Sequence, residues 1–170
     1  TNAGDSFSGT DALDNTLFGF DAGTAITTGD NNTLFGHSAG KSATINSNIV
    51  AIGYQALENA NNTSTADTKL TAVGYQAGKS LTTGDENVFI GKDAGETTTV
   101  ASRFIAIGAD AASLGTNPNQ GVAIGFEAYK NGSASHTIAI GMEALESVTT
   151  SDGNIAVGTQ ALQNCVTYQN

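Results

Sequence analysis

The sequence predicts an all-β fold, a parallel β-solenoid or β-roll of about nine coils, each of about 17 residues. Three observations predict it. A strand-like apolar tripeptide followed by glycine recurs along the 170-residue chain. An alanine stands three residues after each of these glycines, and turn-forming residues fill the stretches between copies.

The copies run in order. Asn15-Thr-Leu-Phe-Gly-Phe-Asp-Ala-Gly23 is followed by Asn32-Thr-Leu-Phe-Gly-His-Ser-Ala-Gly40, Ile49-Val-Ala-Ile-Gly-Tyr-Gln-Ala-Leu57 and Leu70-Thr-Ala-Val-Gly-Tyr-Gln-Ala-Gly78. Then come Asn87-Val-Phe-Ile-Gly-Lys-Asp-Ala-Gly95, Phe104-Ile-Ala-Ile-Gly-Ala-Asp-Ala-Ala112 and Gly121-Val-Ala-Ile-Gly-Phe-Glu-Ala-Tyr129. Thr137-Ile-Ala-Ile-Gly-Met-Glu-Ala-Leu145 and Asn154-Ile-Ala-Val-Gly-Thr-Gln-Ala-Leu162 complete the set. The central glycines are Gly19, Gly36, Gly53, Gly74, Gly91, Gly108, Gly125, Gly141 and Gly158, with steps of 17, 17, 21, 17, 17, 17, 16 and 17 residues.

Each tripeptide, such as Val50-Ala51-Ile52, has the β-branched or aromatic character of a strand. The glycine after it marks a sharp bend or a close backbone approach. The alanine column of Ala22, Ala39, Ala56, Ala77, Ala94, Ala111, Ala128, Ala144 and Ala161 accepts nothing larger, which predicts a crowded position. Turn chemistry recurs at matching places in Thr27-Thr28-Gly29-Asp30-Asn31, Thr82-Thr83-Gly84-Asp85-Glu86 and Thr150-Ser151-Asp152-Gly153-Asn154. The long step carries four extra residues within Asn61–Asp67, expected to bulge as a loop. A degenerate copy, Ser6-Phe-Ser-Gly-Thr-Asp-Ala-Leu13, precedes the series. The expected organisation is an irregular cap over 1–14, repeats over 15–162 and a tail over 163–170. Helical repeats are excluded, since they need more than 30 residues and fewer Gly and Thr. Coils about 4.8 Å apart give a rod of about 40–45 Å.

Composition narrows the function classes. Net charge is −10, from 16 acidic and 6 basic residues, with no Lys/Arg cluster. Non-specific binding to nucleic acid or an anionic membrane is therefore not expected. No apolar run approaches the roughly 18 residues of a transmembrane helix, so no membrane insertion is expected. The start, Thr1-Asn2-Ala3-Gly4-Asp5, is neither an initiator methionine nor a signal peptide, and the chain is expected to be an excerpt or processed product of something longer. Cys165 is the single cysteine, expected as a structural thiol, with a cross-link between copies as the alternative.

A coil of 17 residues is thin. The pre-glycine residues (Phe18, Phe35, Ile52, Val73, Ile90, Ile107, Ile124, Ile140 and Val157) and the mid-strand residues (Leu17, Leu34, Ala51, Ala72, Phe89, Ala106, Ala123, Ala139 and Ala156) point to opposite faces. Both faces are apolar. One closes the coil's interior, and the other requires a partner, which a small residue would admit closely. The motif Asn-x-[Val/Ile]-Ala-Ile-Gly-x-x-Ala resembles the β-roll repeats of trimeric autotransporter adhesin heads. It is equally similar to the repeats of phage-type tail fibres, over about Asn15–Leu162. The resemblance implies a homotrimer, intertwined or side by side. It also implies an extracellular setting, as part of a virion fibre or surface appendage, and a cell-surface glycan or protein as partner.

No catalytic constellation is found, and no cofactor is expected. His37 and His136 fall about six coils apart, too far to share a metal or a triad. Two residues after the glycines, Asp93, Asp110, Glu127 and Glu143 are brought about 5 Å apart in successive coils. That spacing suits a solvated polar stripe, with calcium binding or glycoside cleavage at a subunit boundary as alternatives. One residue after the glycines, Phe20, Tyr54, Tyr75 and Phe126 are candidates for contact with sugar rings or with a neighbouring chain. The leading expectation is a structural fibre segment that attaches to a host cell. A fibre-borne polysaccharide depolymerase and a monomeric solenoid binding a repetitive surface are the alternatives.

Overall fold

The computed structural model describes residues 3–5, 12–62, 67–149 and 151–164. Most of the degenerate copy Ser6–Leu13, and Cys165, lie outside the described residues. Nine three-residue strands are present: β1 (Thr16–Phe18), β2 (Thr33–Phe35), β3 (Val50–Ile52), β4 (Thr71–Val73), β5 (Val88–Ile90), β6 (Ile105–Ile107), β7 (Val122–Ile124), β8 (Ile138–Ile140) and β9 (Ile155–Val157). They pair in sequence order as one parallel sheet, and the described residues contain no helix. The protein is a β-solenoid of about eight turns, with Leu34 against Ala51, Ala51 against Ala72 and Phe89 against Ala106.

The strands are short, but the parallel ladder continues around the coil. Beyond β1, Gly23 N–H donates to Ala39 O at 3.0 Å, Ala25 N–H to Lys41 O at 3.0 Å and Thr27 N–H to Thr44 O at 2.8 Å. Gly4 N–H donates to Ala22 O at 3.1 Å, so the ladder already includes the first described residues. After the long step it closes again at a Ser47–Asp67 bridge; most of the bulge expected within Asn61–Asp67 lies outside the described residues. The short step loses its residue at a turn, where Ser133-Ala134-Ser135 replaces Thr116-Asn117-Pro118-Asn119.

Bends at fixed places turn the chain. The central glycines have φ between 128° and 142°. A Cβ on Gly53 would lie 2.3 Å from Gly74 O, and the same clash recurs down the column. Other corners are left-handed. They fall two residues after the glycine (Asp21, φ 57°; Glu127, φ 53°) and five residues before the next (Asn48, φ 60°; Arg103, φ 56°). A third falls four residues after the glycine, where Gly23, Gly40, Gly78 and Gly95 share the position with Leu57, Ala112, Tyr129, Leu145 and Leu162.

The interior is a narrow apolar column in which large side chains rotate among positions. Where the mid-strand residue is Leu34 or Phe89, the third corner in the same coil is Gly40 or Gly95. A Cβ on Gly95 would lie 2.3 Å from the Phe89 ring. Where the mid-strand residue is Ala51, Ala123 or Ala139, that corner carries Leu57, Tyr129 or Leu145, all buried. Tyr129 takes its space from Gly132, where a Cβ would sit 2.2 Å from the ring. Phe89, Phe104 and Tyr129 form an internal aromatic run, with centroids 6.5 Å and 6.3 Å apart.

Some coils place an asparagine inside, four residues before the glycine. Asn32 is fully buried; its Oδ1 accepts from Ile49 N–H at 2.9 Å and its Nδ2 donates to Asn46 O at 2.9 Å. Asn87 repeats this with Phe104 N–H and Ala101 O. Each side chain ties its coil to the backbone of the next and leaves no polar atom of the amide unpaired.

The structure corrects the expected assignment of strand faces. The small mid-strand column faces the interior, with Ala51, Ala72, Ala106, Ala123 and Ala139 fully buried. The large residues beside it face outward, and Phe18, Phe35, Ile52, Ile90, Ile140 and Val157 are exposed. The reason is volume: a thin coil accommodates one or two large side chains per turn, and the strand's two flanking residues exceed that space.

Candidate functional site

The exposed side of the sheet carries an apolar ridge along its length. Phe18 is 65% exposed, Phe35 52% and Val157 68%. Beyond the glycine bend a second column stands beside it, containing Phe20, Tyr54, Tyr75, Phe126 and Met142, all exposed. The two columns wall a furrow floored by the glycine backbone. At the first coil a hollow of about 370 Å³ is lined by Phe18, Gly19 and Phe20 together with Ala3 and Leu17, which pack against the core.

The post-glycine aromatics proposed as ligand contacts do not all come together. Phe20, His37, Tyr54 and Tyr75 stack in one ladder, with successive centroids 5.2, 5.2 and 5.3 Å apart. Phe126 stands apart, with Ala109 and Met142 as its column neighbours. Within the ladder the ring faces cover one another and the edges point outward. Phe18 and Phe35 stack alongside at 4.8 Å.

The acidic column owes its place to the backbone. All of its members occupy the left-handed corner, which short polar side chains tolerate better than most. Most of its acids are engaged by a neighbour. Asp21 lies 3.1 Å from Lys41 Nζ, Glu127 2.8 Å from Lys130 Nζ, and Asp93 pairs with Lys92. Hydrogen bonds to these carboxylates hold the ammonium pKa values of Lys92 and Lys130 above the usual range. Glu143 accepts from Gln160 Nε2 at 2.9 Å and from Gln163 Nε2 at 2.6 Å. Asp110 lies between the Lys92 and Lys130 coils and acts on both ammonium groups through space. Among the described residues, no three His, Cys, Asp or Glu side chains are grouped so as to hold a metal ion. The column also differs from the solvated stripe that was expected, because Asp93 and Ser38 are buried. Gln55 and Gln76 bond to each other at 2.7 Å.

The two histidines lie in different columns. His37 belongs to the aromatic ladder, and its Nδ1 is 3.0 Å from Ser38 Oγ. His136 sits at the corner five residues before Gly141, in line with Gln120 and Arg103 of the two preceding coils. Arg103, Gln120 and His136 form one wall of a groove of about 510 Å³; Ile105, Val122 and Ile138 form the other. This cluster spans three coils and carries no motif of its own. Its signal was available by counting back five residues from each central glycine, which aligns the only arginine with a histidine.

No family model matches the chain, and no curated protein or solved structure is significantly similar to it.

Proposed function

We propose that the chain is a segment of an extracellular fibre in which three copies pack along their exposed apolar ridges, and that the fibre attaches to a cell surface through glycan. The observation that carries this reading is the ridge itself. It runs unbroken along the sheet in a protein whose interior is already filled. A contiguous apolar surface of this length is a feature of association sites rather than of isolated chains. The post-glycine ladder borders the ridge and widens the contact. The threefold number and the setting rest on the likeness of the repeat to fibre and adhesin repeats. Asp21, Asp93 and Glu127 are paired with lysines and Glu143 with glutamines, which favours a scaffold over hydrolysis of a glycan by this chain.

Sedimentation equilibrium in native buffer tests the assembly. The expected mass is three times the 17.1 kDa of one chain. A stable monomer at micromolar concentration overturns the fibre reading. An array of cell-surface glycans tests attachment, and uniform absence of binding by the assembled protein removes that part.

A further inference from the structure

We infer that the groove at the sixth to eighth coils is a binding site for a compact ring bearing a carboxylate, the chemistry a uronic acid residue presents. The site lies on the same outward face as the ridge, at the leading ends of β6 to β8, and is built within one chain.

One wall is a row of hydrogen-bond donors. Arg103, Gln120 and His136 occupy the same left-handed corner in successive coils, with φ of 56°, 52° and 57°. The backbone N–H of each donates to the coil before it: Arg103 to Asp85 O at 2.9 Å, Gln120 to Ser102 O at 3.0 Å and His136 to Asn119 O at 2.9 Å. These bonds fix the three side-chain origins about 4.8 Å apart, the spacing of neighbouring strands. The guanidinium, amide and imidazole therefore form a short rank at the scale of one six-membered ring. The facing wall of Ile105, Val122 and Ile138 is aliphatic, and the Gly121 backbone lines the floor. A volume of about 510 Å³ lies within the range of small-molecule clefts.

Charge selects the ligand. Arg103 is the only arginine in a chain of net charge −10. Lys41, Lys69, Lys92 and Lys130 each lie within 4.0 Å of a carboxylate, whereas Arg103 makes no ion pair among the described residues. Glu86, its neighbour in the same column, lies 3.9 Å from Lys69 Nζ. The guanidinium fork is thus left open toward the groove, and its geometry matches a carboxylate's two oxygens. Gln120 and His136 are placed to meet hydroxyl or ring oxygens. The Ile and Val side chains are placed to meet the C–H face of the ring.

Saturation-transfer NMR from the protein methyl groups tests the site on the full chain, with three probes: methyl β-glucuronide, cyclohexanecarboxylate and methyl β-glucoside. The two carboxylates are expected to bind, and the neutral glucoside to bind about tenfold more weakly, the worth of one charge-assisted hydrogen bond. Preference for the glucuronide over cyclohexanecarboxylate identifies a sugar acid as the source; the reverse identifies a non-sugar carboxylate. Arg103→Gln is expected to abolish the preference for the carboxylates over the neutral glucoside, while Lys79→Gln, a charge loss elsewhere, leaves it intact. Arg103 is exposed, so unchanged circular dichroism is expected to show that the variant still folds. Equal binding of glucuronide and glucoside, no binding of either carboxylate, or undiminished carboxylate binding by Arg103→Gln overturns the proposal.

Discussion

Gly53 has no room for a methyl group. Its φ of 136° is strained for any L-residue, and a Cβ there would meet the carbonyl of Gly74. Gly53→Ala is therefore expected to lower stability by at least about 3 kcal/mol in urea unfolding, since strain and a backbone clash act together. Gly153→Ala provides the contrast. Its φ is 77° with nothing within 4 Å, and the expected loss is about 1–2 kcal/mol, the left-handed penalty alone. Tyr129 makes a second prediction at this scale. Burial pushes its phenol up from 10.0 to about 12, and its OH donates to Ala134 O at 2.5 Å. A raised folded-state pKa favours the protonated form, so this contribution is complete below about pH 10 and is lost as pH rises through about 12. Wild type is expected to lose about 2–3 kcal/mol across that window, judged by unfolding midpoints. Tyr129→Phe is expected to lack that part of the pH dependence. The glycines and alanines were legible in the sequence because nothing else ever occupies their columns. Tyr129 was not, because its burial depends on Gly132 and on a corner that elsewhere holds glycine, alanine or leucine.

One coil is the element of this fold, and its cross-section is close to constant. Coils with Leu34 or Phe89 in mid-strand have glycine at the third corner; several with alanine in mid-strand have a large residue there. Ala51→Leu alone overfills its coil and is expected to cost about 1–3 kcal/mol. Leu57→Gly alone leaves a cavity. Together they recreate the Leu34–Gly40 pair, so a double-mutant cycle is expected to give a favourable coupling of at least about 1 kcal/mol. Additive losses would refute the exchange. The period and the strands could be read from the recurring tripeptide, but the direction of its faces could not. Both faces are apolar, and hydrophobicity alone does not choose between them; the available interior volume does. The acidic column was equally visible as a pattern. The left-handed corner that explains it is a backbone property and leaves no direct mark in composition. The alignment of Arg103, Gln120 and His136 was available from the glycine register, but the groove was not, because the aliphatic wall facing them depends on which way the strand faces point.

The whole molecule presents a finished interior and an unfinished exterior. Ile90 lies at the middle of the ridge and is exposed in the single chain. Ile90→Glu is therefore expected to shift sedimentation toward the 17.1 kDa chain while leaving circular dichroism unchanged. A charge on the ridge disfavours burial against a partner without touching the coil's own core. An unchanged mass distribution would place the contact elsewhere. The sequence revealed that an apolar face remained over, since more apolar residues recur in each period than a thin coil can enclose. The register has a further consequence, for the order of folding. Nearly every ladder contact closes a loop of the same 17-residue length, so each new coil meets almost the same entropic barrier as the last. The 21-residue step adds only about 0.2 kcal/mol to that barrier. Growth should thus proceed like a zipper from any formed pair of coils, passing the longer step with scarcely a pause.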